Sequence, residues 1–140
     1  MLVRSFYSYS AGRDLVEALA DERYVAAGHA AFDQLAAEDF EFALVRGEAG
    51  AEGIYQGPAG LVEGMREWVS SFQTYVASVE DIIDLDDRVL VLTNERGVSS
   101  LGGVPVRQQG AVIWSFREGK VARIETYVQR RAAFAALKRA

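Results

Sequence analysis

The sequence predicts a single α+β domain in which helices come first and a meander of long, mainly antiparallel strands follows. Three observations carry this. Amphipathic helical stripes dominate between Asp14 and Phe72, apart from one short strand and a stub. Beyond Val76 the apolar residues recur with the period of strands until a last short helix. No repeat, low-complexity segment or interdomain linker interrupts the 140 residues. A chain of this length buries roughly two thirds of its extended surface, enough for one core.

Asp14-Leu-Val-Glu17 has capping-box spacing, and Leu15, Val16, Leu19, Ala20 and Tyr24 follow on one helical stripe. This first helix is expected to stop near Gly28, where glycine readily takes a left-handed turn. A shorter helix over 30–37 presents Phe32 and Leu35. Phe40, Phe42 and Leu44 then alternate with Glu41 and Ala43, the period of a strand with one wet face. Residues 47–53 read as a loop and Ile54-Tyr55 as a strand stub. Pro58 suits the start of a third helix, whose stripe is Leu61, Met65, Trp68 and Phe72 with Val62 and Val69 beside it. Strands follow over 76–85, 88–98, 106–117 and 121–129. Asp86-Asp87, the glycine-rich 99–103 and Glu118-Gly119 turn the chain between them. A helix over 131–139 closes the chain, with Phe134 and Leu137 expected to point inward.

Composition narrows the function classes. Half the residues are hydrophobic and a quarter charged, so a folded domain is expected rather than a disordered one. Without cysteine there is no disulfide, no thiolate metal site and no cysteine nucleophile, and the one histidine, His29, cannot form a multi-histidine site. No metal or other cofactor is expected. Residues 1–10 lack the apolar stretch of a secretory signal, and no apolar run is long enough for a bilayer, so no membrane partner and a cytoplasmic location are expected. The net charge of −5 is unevenly spread, with −12 over residues 21–87 and +7 over 88–140. The basic residues are scattered over strands and one helix without interleaved aromatics. Charge matching within or between subunits therefore explains them better than nucleic acid.

Alternation along the strands sorts side chains onto two faces. One face is read as Leu90, Leu92, Asn94 and Arg96, then Gly110, Val112, Trp114 and Phe116, then Arg123, Glu125 and Tyr127. With its bulky aromatics and few ionisable groups, it is expected to line an apolar pocket under the helices. The other face, with Val89, Val91, Thr93 and Glu95, then Ala111 and Ile113, then Ile124 and Thr126, is expected to meet a second subunit in a homodimer through the sheet.

The segment from Asp86-Asp87-Arg-Val-Leu-Val-Leu92 through the hairpin to Phe116-Arg-Glu-Gly-Lys-Val-Ala-Arg-Ile-Glu-Thr-Tyr127 resembles the carboxy-terminal half of SnoaL-like proteins, of the nuclear transport factor 2-like superfamily. The Gly57-Pro-Ala-Gly60 helix entry and the break at Gly28 fit the same pattern, and the resemblance spans about residues 13–138. It implies a cone-shaped half-barrel, a curved sheet wrapped around three helices plus a short C-terminal helix. The domain would run over 13–140 behind an N-terminal arm, 1–12. The superfamily holds cyclases, isomerases, dehydratases, epoxide hydrolases and noncatalytic binders, so fold alone selects no activity.

Where ketosteroid isomerases carry a base and a protonated aspartate, this chain has about Leu44 and Val112, which exchange no proton. The resemblance to limonene-epoxide hydrolases puts Arg96 on an arginine and Glu125 near an aspartate of their site, with Val98 where their second acid stands. Arg96 and Glu125 are thus the catalytic candidates, as a ligand-gripping or structural pair if not a reactive one. Tyr24, Tyr55, Trp68, Leu92, Asn94, Val112, Trp114 and Tyr127 are the candidate ligand-binding residues. His29 reads as a solvated or capping side chain, and Ser99–Gly103 as a hairpin tip rather than a phosphate loop. The expected ligand is a small apolar molecule. Three classes stay open: a noncatalytic binder, an enzyme acting on a polyketide-, terpenoid- or steroid-like compound, and a dimerisation module.

Overall fold

The computed structural model describes residues 2–47 and 51–139. Helix α1 (Leu2–Ser10) is followed by α2 (Leu15–Ala20), α3 (Glu22–Asp33), β1 (Ala36–Val45), β2 (Gly53–Gln56) and α4 (Gly57–Val69). Strands β3 (Phe72–Leu85), β4 (Arg88–Ser99), β5 (Pro105–Arg117) and β6 (Lys120–Tyr127) come next, and α5 (Arg130–Lys138) ends the chain. The six strands form one curved open sheet in the order β2-β1-β6-β5-β4-β3, antiparallel throughout except where β1 runs parallel to β6. The α+β half-barrel is therefore the observed fold. Of the expected 47–53 loop, residues 48–50 lie outside the described residues.

The helical half differs from expectation in where it breaks. The expected first helix is cut at Asp21, whose extended backbone lets its side chain accept from the N–H groups of Arg23 and Tyr24 and cap α3. Gly28 does not stop the helix, which continues to Asp33. An added Cβ at Gly28 would meet the Tyr9 ring at 3.4 Å, an ordinary van der Waals contact. Residues 30–33 thus belong to α3, and β1 starts at Ala36, inside the span expected to be helical. Asp14 caps α2 through Val16 N–H and also accepts from the Tyr75 N–H at 3.0 Å, fastening α2 to β3.

The arm preceding the expected domain is the helix α1. Val3 is buried, and Phe6 and Tyr7 pack on the core. The Trp114 indole N–H donates to the Tyr7 hydroxyl at 3.1 Å, and Phe6 meets the same indole edge-on, with ring centroids 4.9 Å apart. Glu118 and Gly119 both take positive φ, the signature of the tight turn that matches strand twist.

The sheet register overturns the expected division of faces. Val91 pairs with Val112 and Val89 with Trp114, so odd positions of β4 share a face with even positions of β5. Trp114 pairs in turn with Ile124, and Val112 with Thr126. The concave face therefore carries Val89, Val91, Thr93 and Glu95 with Val112, Trp114, Ile124 and Thr126. Leu90, Leu92, Glu125 and Tyr127 belong to the convex side instead. There Leu90, Ala111, Ile113 and Tyr127 form a second cluster with Ala133 of α5. That helix seats Ala133 and Leu137, while Phe134, expected inward, is largely exposed.

Candidate ligand-binding site

Between the concave face and the helices lies a cavity of about 90 Å³. Leu61, Met65, Trp68 and Val69 descend from α4, while Phe42, Val112, Ile124 and Thr126 rise from the sheet. Phe6, Tyr7 and Leu15 close it from α1 and α2, and Tyr75, Ala77, Thr93 and Glu95 complete the wall. Gly64 lets α4 settle against β1: an added Cβ there would stand 2.4 Å from the Phe42 ring. The cavity shares Phe6, Tyr7, Leu15, Met65, Ala77 and Thr93 with an outer groove of about 390 Å³ that runs under α1 along β3.

One charged group lies in this largely apolar wall. Glu95 is only 6% exposed, and its carboxylate accepts from the hydroxyls of Tyr75 and Thr93 and from the Gln108 amide, the last two at 2.7 Å. The Trp68 indole N–H donates to the Tyr75 hydroxyl at 2.7 Å, so a chain of donors runs Trp68, Tyr75, Glu95. Gly110 makes the room: a Cβ there would fall 2.3 Å from the carboxylate and 2.9 Å from the Tyr127 carbonyl. None of the ion pairs found among the described residues involves Glu95.

Burial raises the Tyr75 phenol well above its ordinary range, and the Glu95 charge and the hydrogen bond to it raise it further. Tyr75 is therefore a permanent donor at any working pH. Tyr7 is pushed up by burial and, more weakly, by Glu95, against the bond from Trp114.

The expected site residues are scattered over the fold. Trp68 and Val112 line the cavity. Trp114 is on the same face, wholly buried behind Phe6 and Tyr7. Tyr55 packs on the core where α4 begins, its backbone against Gly60. Tyr24 stacks on Tyr9 beside a separate cavity of about 70 Å³ between α1, α3 and α4. Leu92 and Tyr127 belong to the convex cluster, and Asn94 donates to Glu80 at 3.1 Å.

Arg96 and Glu125 are not brought together. They stand on β4 and β6 with β5 between them, Arg96 opposite Arg107 and Glu125 opposite Ile113. Glu125 instead lies 3.7 Å from Arg123 and accepts from Tyr127 at 2.9 Å. Sequence reasoning missed Glu95, Tyr75, Thr93 and Gln108. The available signal was the polar continuation, Thr93-x-Glu95, of the apolar row Val89-x-Val91, facing Gly110.

The family model for the SnoaL-like domain matches residues 13–124. The chain belongs to the SnoaL-like domain family. Helix α1, which contributes Phe6 and Tyr7 to the cavity wall, precedes the matched span. No curated protein matches the sequence. Solved structures share the fold at low identity. A SnoaL-like protein from Jannaschia sp. CCS1 is 15% identical with a TM-score of 0.58, over 77% of this chain and 76% of that one. TerC, co-crystallised with polyporic acid, is 23% identical with a TM-score of 0.55, over 83% and 95%. An NTF2-like protein of unknown function from Burkholderia pseudomallei K96243 is 16% identical at 0.58, over 86% and 88%.

Among the described residues no group of His, Cys, Asp and Glu side chains could hold a metal ion, and no helix is long and apolar enough to cross a membrane.

Proposed function

We propose that this SnoaL-like domain binds a small, largely apolar molecule whose polar group reaches Glu95. The buried carboxylate carries this reading. Taking a charge out of water costs several kcal/mol, and core packing alone gains nothing from it. In the wall of an otherwise apolar cavity, it gives an apolar ligand its orientation. The cavity is smaller than the roughly 150 Å³ that admits benzene to a dry core. A larger ligand would leave its body in the groove under α1. TerC, crystallised with polyporic acid, supports small-molecule binding as a use of this fold.

The experiment is a titration with phenol and with toluene, read from the indole N–H resonances of the two tryptophans. Phenol should shift Trp68 and bind better than toluene, and Glu95→Gln should shrink the difference. Absence of any shift with either compound would end the reading.

A second reading, an enzyme acting on a polyketide-, terpenoid- or steroid-like substrate, draws on the Tyr75–Glu95 pair. A carboxylate base beside a phenol that stays protonated is a usable proton-transfer couple. Under it Glu95→Gln would abolish turnover of such a substrate and leave its binding largely intact. A homodimer belongs to the same proposal. Since α5 covers Leu90 and Ile113, its contact is expected over Ile83 and Leu92 beside that helix. Sedimentation as a 15.4 kDa species would remove it.

A further inference from the structure

We propose that the Glu95 end of the cavity takes a small organic cation, an alkylammonium group. The proposal rests on the reading of this cavity as the ligand site and specifies the ligand's charge.

Three features of the wall select a cation. The first is the carboxylate itself. All three of its hydrogen-bond donors, Tyr75, Thr93 and Gln108, are neutral, and no ion pair among the described residues involves it. A neutral ligand would add one more hydrogen bond, whereas a cation cancels the charge whose burial is the main cost of the arrangement.

The second is the rest of the lining. Phe6, Tyr7, Phe42, Trp68 and Tyr75 all contribute to a cavity with little other polar surface. Aromatic faces attract a positive charge, and apolar walls accommodate the methyl groups an alkylammonium carries. A metal ion would be served badly. Magnesium and calcium require six or more oxygens, and this wall offers one carboxylate and a few hydroxyls. Ammonium would leave the methyl-sized space empty.

The third is the pair of glycine and threonine positions that hold the carboxylate in place. Gly110 leaves it room, and Thr93 donates to Oε2 while Tyr75 and Gln108 share Oε1. The carboxylate is thereby aimed before any ligand arrives, and its ordering cost is met in the folded state. Positive charges stand nearby: Arg46 lies 5.4 Å over the Trp68 ring, Arg4 and Arg96 border the outer groove, Arg107 lines a surface pocket together with Glu95, and Arg130 donates to the carbonyls of Thr93 and Gly110. The first four are exposed to solvent, where salt screens them far more than it screens a buried pair, and Arg130, though part-buried, is already paired with Glu80.

The test compares tetramethylammonium with tert-butanol, a neutral molecule of similar shape that can donate a hydrogen bond. Both are titrated calorimetrically into the full chain, with the Trp68 indole resonance as a second readout. The expected result is at least about tenfold tighter binding of tetramethylammonium, the scale of desolvated cation–aromatic attraction. Glu95→Gln should shrink that difference, leaving only the share the aromatic wall supplies. Equal binding of the two, or tighter binding of tert-butanol, overturns the cation proposal while leaving the cavity as a ligand site. Binding of phenol without binding of tetramethylammonium overturns it in the same way. Failure of all three to bind overturns both proposals. Because the wild-type comparison decides between these outcomes, the proposal stays testable even if Glu95→Gln folds poorly.

Discussion

Tyr75→Phe removes one oxygen and should cost far more than an ordinary loss of a hydroxyl. The Tyr75 hydroxyl donates to the Glu95 carboxylate and accepts from the Trp68 indole N–H at 2.7 Å, and all three side chains are buried. Losing a hydrogen bond to a charged acceptor costs about 1.5–3 kcal/mol, and stranding a buried donor about 1–3 kcal/mol. These losses belong to one network and do not simply add. A total of about 3 kcal/mol is expected, a lowering of the unfolding midpoint by roughly 10 °C for a domain of this size. Urea denaturation followed by tryptophan fluorescence measures it, provided the slope with denaturant is unchanged. Tyr9→Phe is the control. Its hydroxyl also donates, to the Tyr24 carbonyl at 2.9 Å, but in an exposed setting, so under about 1 kcal/mol is expected. If the two variants lose equal stability, Trp68, Tyr75 and Glu95 do not form a closed network.

Trp68→Ala should destabilise by about 3–5 kcal/mol, because the indole is buried in the main core; a midpoint near wild type in the same assay would contradict that burial. Gly64→Ala should lower stability by about 1–3 kcal/mol although alanine favours helices, since the new Cβ meets Phe42 and Tyr55; a stabilised variant would mean that α4 stands further off β1. Alkaline pH should unfold the protein through its buried tyrosines. Tyr7, Tyr75 and Tyr127 all have phenols raised above the ordinary value of 10.0, so the unfolded chain releases these protons first. Their contribution is fully present below pH 10 and is lost as pH rises through the folded values. Denaturant midpoints that stay flat well above pH 10, or tyrosinate absorbance that develops fully before unfolding, would refute this.

Much of this protein is legible in the sequence because its signals are local. Pro58 with the Leu61, Met65, Trp68 stripe defines α4, Asp14 starts α2, and Glu118-Gly119 can only be a tight turn. Each depends on a few neighbouring residues and on steric or hydrogen-bonding rules that act within one turn of chain. The order of these elements then selects the α+β half-barrel. Asp21 is equally local but silent, because an aspartate that caps and one that merely lies on a helix look alike until the backbone angle is known.

What the tertiary structure alone decided is which residues share a face. Strands β4 and β5 are apolar on both sides, since one side lies under α1, α2 and α4 and the other under α5. Alternation is then lost as a guide to register, and a shift of one residue exchanges the faces. Pairing Val91 with Val112 joins odd to even positions. It sends Arg96 and Glu125 to separate surroundings and turns Glu95 into the cavity. The residues around Glu95 come from β3, β4, β5 and α4, and only long-range pairing sets their meeting. The sequence determined that a curved sheet would close over an apolar space; the register of one hairpin determined which carboxylate faces into it.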